Sequence, residues 1–157
     1  MVKMQSSSVR IGSSIMIAMG IYTLVISLLW IFLTEVGFVS DFAAYTGQTW
    51  SDYLATSPKY AMMYIITKRL IGFQLLPISI LIILIAQKSY SRGEKWSWYA
   101  LLVSGVVTWG SLIGYRIVIG YFVFDTLARA ASTMTPIVGL VLLVIGLTVP
   151  AKEIFGS

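Results

Sequence analysis

Four long hydrophobic segments, separated by polar stretches, dominate the pattern of the chain. A helix needs roughly 20 residues to cross a hydrocarbon layer about 30 Å thick. The pattern therefore predicts membrane-spanning helices near residues 11–33, 68–87, 96–118 and 133–150. The first segment, from Ile11 to Leu33, carries no charge and is longer than the apolar core of a signal peptide. We interpret it as a permanent helix.

The connections between these segments differ in kind. Residues 88–95 form a short polar turn centred on Gly93, which makes the second and third helices antiparallel neighbours. Residues 34–67 form a much longer connection, and a loop of that length in a compact bundle is usually an element of its own. We therefore predict an all-α membrane protein over residues 1–157. It is a four-transmembrane-helix up-down bundle with an extracytoplasmic amphipathic cap, residues 34–67, between helices one and two.

Capping residues predict where two of the helices begin. Thr49 or Ser51 is suited to cap a short helix within the outer cap, ending before Pro58. Thr135 followed by Pro136 predicts the first turn of the fourth spanning helix.

Composition agrees with a membrane protein and narrows its chemistry. Hydrophobic residues make up 58% of the chain and charged residues 11%, against about 25% charged in soluble domains, so a water-soluble globule is excluded. The sequence has no histidine and no cysteine, the residues that ligate haem, iron–sulfur clusters, zinc and copper. It also lacks the common catalytic and nucleotide-binding motifs. We expect no metal, no cofactor, no catalytic residue and no enzyme activity.

The distribution of lysine and arginine predicts the orientation. If the four spans alternate, one side carries Lys3, Arg10, Lys88, Arg92, Lys95 and Lys152. Cytoplasmic flanks carry the excess of basic residues, so we predict a cell-membrane protein with both termini in the cytoplasm. The net charge of +5 comes from residues that flank spans, which favours contact with anionic lipid over binding to nucleic acid.

A layer of charged residues is predicted at the outer boundary of the hydrocarbon. Counting about 1.5 Å per helical residue from the cytoplasmic ends, Arg69 and Arg116 both lie roughly 27–30 Å away. The candidate layer consists of Arg69, Arg116, Lys68, Glu35, Asp41 and Asp125. In one hypothesis its cations bind an anionic or carbonyl-bearing ligand, such as a lipid headgroup or a quinone. In the other, the arginines pair with the acids and tie the cap to the bundle, or extend to headgroup phosphates.

Other polar and small residues indicate packing faces. Gln74, three residues before Pro77, either lines a cavity or forms a hydrogen bond to a neighbouring helix. Gly110 and Gly114 form a GxxxG pair that could face an external partner. Small residues also recur every seven positions in the first helix, at Ser13, Gly20, Ser27 and Thr34.

The start of the third helix carries a resemblance to a known group of proteins. Residues 91–100 read Ser-Arg-Gly-Glu-Lys-Trp-Ser-Trp-Tyr-Ala. This is similar to the arginine-glycine-glutamate and tryptophan-x-tryptophan-tyrosine pattern of many small four-helix membrane proteins of bacteria and archaea. The layout of one span, a long outer loop and three further spans resembles the DoxX-like group. The resemblance implies a four-helix bundle, sometimes associated with membrane redox complexes, and no catalytic residue.

Two functions are consistent with these observations. The first is an accessory or structural subunit that packs in the bilayer against other membrane protein chains or a second copy of itself. The alternative is a binding protein for a lipid- or quinone-type molecule, or a minimal transporter, that uses the outer charged layer.

Overall fold

The computed structural model describes residues 6–37, 39–118 and 127–156, and every regular element in this part of the chain is helical. The helices are α1 (Ser7–Phe32), α2 (Val39–Thr46), α3 (Trp50–Thr56), α4 (Pro58–Lys88), α5 (Lys95–Val118) and α6 (Leu127–Phe155). Short 3-10 turns span Thr34–Gly37 and Tyr90–Arg92. Within the described residues, four segments are long and apolar enough to cross a membrane: Ser7–Phe32, Pro58–Arg92, Lys95–Val118 and Ser132–Phe155. The prediction of four such helices is confirmed.

Two predicted chain features are confirmed at the helix ends. Thr49 caps α3, because its Oγ1 accepts a hydrogen bond from the Asp52 backbone N–H at 3.2 Å. Gly93 closes the turn between α4 and α5 with a φ of 75°, a left-handed conformation that glycine adopts without a Cβ clash.

Two helices begin earlier than the sequence pattern indicates. Helix α4 starts at Pro58, ten residues before the predicted span, because proline at the first position of a helix needs no backbone donor. The last residues of the predicted cap, 58–67, are therefore the first turns of α4. The predicted start of the fourth helix at Thr135 is wrong. Pro136 lies inside α6, where it is buried and tertiary packing holds the helix together on both sides.

Helix α1 is the central helix of the fold, packing most extensively against α4 and α6. The Ser13 hydroxyl donates to the Ala86 carbonyl at 2.7 Å, and the Ser27 hydroxyl donates to the Gly72 carbonyl at 2.8 Å. These two bonds join opposite ends of α1 and α4, so the two helices are antiparallel. The predicted stripe of small residues in α1, Ser13, Gly20, Ser27 and Thr34, is buried along its whole length.

The main hydrophobic core lies where α1, α4, α5 and α6 meet. Met16, Leu143 and Trp109 are almost fully buried there, and the Trp109 ring lies against Gly139 of α6. Pro150 of α6 has no N–H to donate to the Gly146 carbonyl one turn earlier. The Tyr90 hydroxyl donates to that carbonyl instead, at 2.7 Å, which ties the turn between α4 and α5 to α6.

Helices α4 and α5 contact each other much less than each contacts its other neighbour. The short turn holds them together at one end. Beyond it α4 packs on α1 and α5 packs on α6. This arrangement leaves space between α4 and α5 at the end distant from the turn.

Candidate functional site

The segment between α1 and α4 folds into an aromatic cluster against the first turns of α4. Phe42 of α2 and Trp50 of α3 are buried against Ala61 and Ile65 of α4. The rings of Phe42 and Trp50 meet edge to face with centroids 5.2 Å apart, a favourable geometry for aromatic pairs. The cluster fixes α2 and α3 on one side of the extended N-terminal part of α4.

An ion pair joins this segment to α5. The Arg116 guanidinium Nη1 donates to Asp41 Oδ1 of α2 at 2.9 Å, and both residues are buried. Arg116 also donates to the Ser132 hydroxyl of α6, and that hydroxyl lies 3.3 Å from Asp41 Oδ2. The pair therefore has further hydrogen-bond partners, which a buried charge pair needs to offset its loss of hydration. This geometry agrees with the hypothesis in which Arg116 pairs with an acidic residue, and the pair connects α2 to α5.

Arg69 has a different environment. Its Nε donates to the Thr34 hydroxyl at the end of α1, at 3.1 Å, and the residue is otherwise exposed. Glu35 follows Thr34 in the 3-10 turn and is also exposed. The arginines at 69 and 116 thus contact different elements, and Asp125 lies outside the described residues.

Lys68 lies between two aromatic rings contributed by different helices. Its Nζ is 5.4 Å from the ring centroid of Trp30 in α1 and 5.0 Å from that of Tyr115 in α5. Contacts of this kind contribute about 0.5–2 kcal/mol each, depending on how far the cation is removed from water. They hold the partly buried ammonium group between α1, α4 and α5.

Lys68 is at the wall of a cavity of about 500 Å³, a volume typical of small-molecule sites. The cavity is bounded by α1, α3, α4 and α5, and its walls are mainly apolar and aromatic. Its lining residues are Trp30, Tyr53, Tyr60, Met63, Tyr64, Thr67, Lys68, Ile71, Ser111, Leu112 and Tyr115. Tyr60 and Met63 are strongly exposed, so the cavity is open along the side of α4 that faces away from the core.

One basic side chain, Lys68, lines the cavity. Among the residues that the structure describes, no carboxylate is within ion-pair distance of Lys68. Asp41 and Arg116 are both close enough to act on its charge, with opposite sign, and they are paired with each other. The site therefore combines one basic side chain with an apolar cavity. Within the described residues, no three His, Cys, Asp or Glu side chains come together as metal ligands.

The predicted candidate residues thus do not come together in one site. Arg116 and Asp41 form the buried pair, and Lys68 is the predicted residue that lines the cavity. The sequence pattern missed the aromatic residues around Lys68. On α4, lining residues recur at helical spacing, at Tyr60, Met63, Tyr64, Thr67, Lys68 and Ile71, and this periodicity is the signal that identifies the face.

Gln74 lies within α4, inside the second apolar segment, and its side chain is exposed on the surface of the bundle. It is not among the residues that line the cavity. Its predicted role in a cavity or in an interhelical hydrogen bond therefore stays a prediction.

No protein-family model matches the chain, and neither curated proteins nor solved structures include a match to it. The resemblance to the DoxX-like group stays a prediction carried by residues 91–100 and by the order of the segments.

Proposed function

We propose that this protein is an integral membrane protein that binds a hydrophobic small molecule, of lipid or quinone type, in the cavity between α4 and α5. The observation that carries the proposal is a cavity of about 500 Å³ with apolar walls and one cation, Lys68, at its wall. Exposed apolar side chains such as Met63 surround its open side. A molecule dissolved in the bilayer would reach such a site from the membrane interface.

The proposal includes an orientation in the membrane. The four spanning helices form an up-down bundle, and α2 and α3 form an extracytoplasmic cap over the ends of α4 and α5. Both termini and the turn between α4 and α5 are cytoplasmic. The basic residues Lys88, Arg92 and Lys95 around that turn support this orientation.

Native mass spectrometry of the delipidated protein in mild detergent tests the binding function. The probes are palmitate, hexadecanol and a decyl-substituted benzoquinone. We expect a one-to-one complex with at least one of them. Ser111 lines the cavity, so Ser111→Trp should fill it and remove the complex. Val144→Trp, at an exposed position of α6 outside the cavity, is the matched control and should retain the complex. Absence of all three complexes, or complexes that Ser111→Trp leaves unchanged, would contradict the proposal.

A second candidate function, an accessory subunit of a larger membrane complex, is favoured by the outer face of α5. A Cβ atom added at Gly110 or Gly114 would meet no atom within 4 Å, and the neighbouring Val107 is 65% exposed. Small residues on an open helix face permit close approach of another helix in a membrane. Stoichiometric co-purification with other chains, abolished by Gly110→Leu, is the expected result for this candidate. A chain that purifies alone in the same mild detergent argues against it.

A further inference from the structure

We infer that the ligand of this cavity is an amphiphile with an anionic carboxylate or phosphate head, and that Lys68 Nζ contacts that head. The inference rests on the proposed binding function and specifies the chemical class of the ligand. Of the three cations in the predicted charged layer, Lys68 lines the cavity, and Arg69 and Arg116 do not.

The charges around the cavity favour an anionic ligand. Asp41 is paired with Arg116 at 2.9 Å, and among the described residues no carboxylate lies within ion-pair distance of Lys68. A cation at the wall of an apolar cavity loses hydration, and cation–π contacts offset only part of that loss. An anion in the cavity would supply the missing opposite charge, so charge complementarity selects a negatively charged head over a neutral one.

The position of the Lys68 ammonium group also favours an anionic head. The ring centroids of Trp30 and Tyr115 lie 5.4 and 5.0 Å from Lys68 Nζ. Ring faces attract the charge, but an ammonium group has three N–H donors that a carboxylate or phosphate oxygen accepts more strongly. Because the rings already hold the group in place, a ligand would bind it with little further loss of side-chain freedom.

The lining residues on the two sides of Lys68 differ in polarity, and this difference indicates the direction of the ligand's tail. Tyr60, Tyr64 and Tyr53 lie with Met63 on the side of the cap, whereas Ile71 and Leu112 lie with Ser111 one turn nearer the α4–α5 turn. A head at Lys68 would therefore have hydroxyl-bearing rings around it, and a tail directed along Ile71 and Leu112 would meet aliphatic walls.

The depth of Lys68 agrees with this direction. It lies twenty residues before Lys88, and Tyr115 lies twenty residues after Lys95. Both distances are about 30 Å at about 1.5 Å per residue, which is the thickness of the hydrocarbon layer. With the α4–α5 turn at one boundary, Lys68 is at the opposite boundary, where the heads of amphiphiles are found.

Titration of the full chain with palmitate, hexadecyl phosphate and hexadecanol tests the inference. The three probes share one chain and differ in the head. We expect one of the anionic probes to bind at least about tenfold more tightly than hexadecanol, equivalent to about 1.4 kcal/mol. Preference for palmitate indicates a carboxylate head, and preference for hexadecyl phosphate indicates a phosphate head. Equal or tighter binding of hexadecanol overturns the inference and leaves the proposed binding function standing. Absence of binding by all probes, including the benzoquinone, removes the proposed function itself.

Variants of two lysines on the same helix assign the charge to its residue. Lys68→Met should abolish the preference for the anionic head, and Lys68→Arg should retain it. Lys59 is exposed on α4 outside the cavity, so Lys59→Met should bind like the wild type. An anionic preference that survives Lys68→Met overturns the assignment to Lys68. The wild-type comparison of head groups remains decisive for ligand class if Lys68→Met does not fold.

Discussion

Asp41 and Arg116 form an ion pair that is buried on both sides, 4% and 5% exposed, between residues 75 positions apart in the chain. Asp41 lies in the short helix α2 and Arg116 in the last turn of α5, so the pair connects the segment after α1 to the end of α5. Ser132 of α6 contacts both partners. One side-chain cluster thus joins three elements that are distant in sequence.

Removal of one partner of this pair should strongly destabilise the fold. Arg116→Met leaves the Asp41 carboxylate buried without its cation, which in buried pairs costs about 3–5 kcal/mol. Reversible unfolding in mixed detergent micelles measures the effect. Arg92→Met is the control, because its pair with Glu94 is largely exposed and contributes at most about 1 kcal/mol.

The charge-reversed double variant Asp41→Arg with Arg116→Asp should recover part of the stability lost in Arg116→Met. The recovery is partial because the interchanged side chains differ in length. Equal stability of Arg116→Met and Arg92→Met would contradict a structural role for the buried pair.

Alanine substitution should have opposite effects on stability at two helical glycines whose surroundings differ. A Cβ at Gly139 would overlap the buried Trp109 ring at less than 3 Å, so Gly139→Ala must separate α5 from α6. Overpacking of this kind costs about 1–3 kcal/mol. At Gly110 the added Cβ meets open space, and Gly110→Ala should stabilise the helix by up to about 1 kcal/mol. Thermal unfolding monitored by circular dichroism distinguishes the two. Similar losses in both variants would contradict the packing described.

Tyr90 should stabilise α6 through its hydroxyl group. Tyr90→Phe removes the donor to the Gly146 carbonyl, which Pro150 leaves without its usual helical partner. A buried carbonyl without a partner costs about 1–3 kcal/mol, so the unfolding free energy should fall by that amount. Tyr99→Phe is the matched control at an exposed position of the same end of the bundle, and it should change stability by less than about 0.5 kcal/mol. Equal effects would show that the Tyr90 hydroxyl has no special role.

The orientation can be tested directly because the chain has no cysteine. Single cysteines at Ser7, the first residue of the first span, and at Gln48, between α2 and α3, are both at exposed positions. In intact cells a membrane-impermeant maleimide should label Gln48→Cys and should label Ser7→Cys only after the membrane is opened. Labelling of Ser7→Cys in intact cells would reverse the proposed orientation.

The sequence by itself determined the number and approximate position of the long helices. Hydropathy and length are local properties, and about 20 apolar residues suffice to identify a possible span wherever they pack. It also located the Gly93 turn and limited the cap of α3 to Thr49 or Ser51, since each depends on neighbouring residues alone. It did not determine where α6 begins, because the effect of Pro136 depends on packing by other helices.

The tertiary structure decided which charge has which partner. Lys68 and Arg69 are adjacent in sequence, but successive helical residues point about 100° apart. Lys68 therefore faces the cavity, while Arg69 reaches the end of α1 at Thr34. Arg116 pairs with Asp41 and not with exposed Glu35, because α2 folds back and places the Asp41 carboxylate beside α5. Distance along the sequence carries no information about such a pairing, which depends on how short helices pack on long ones.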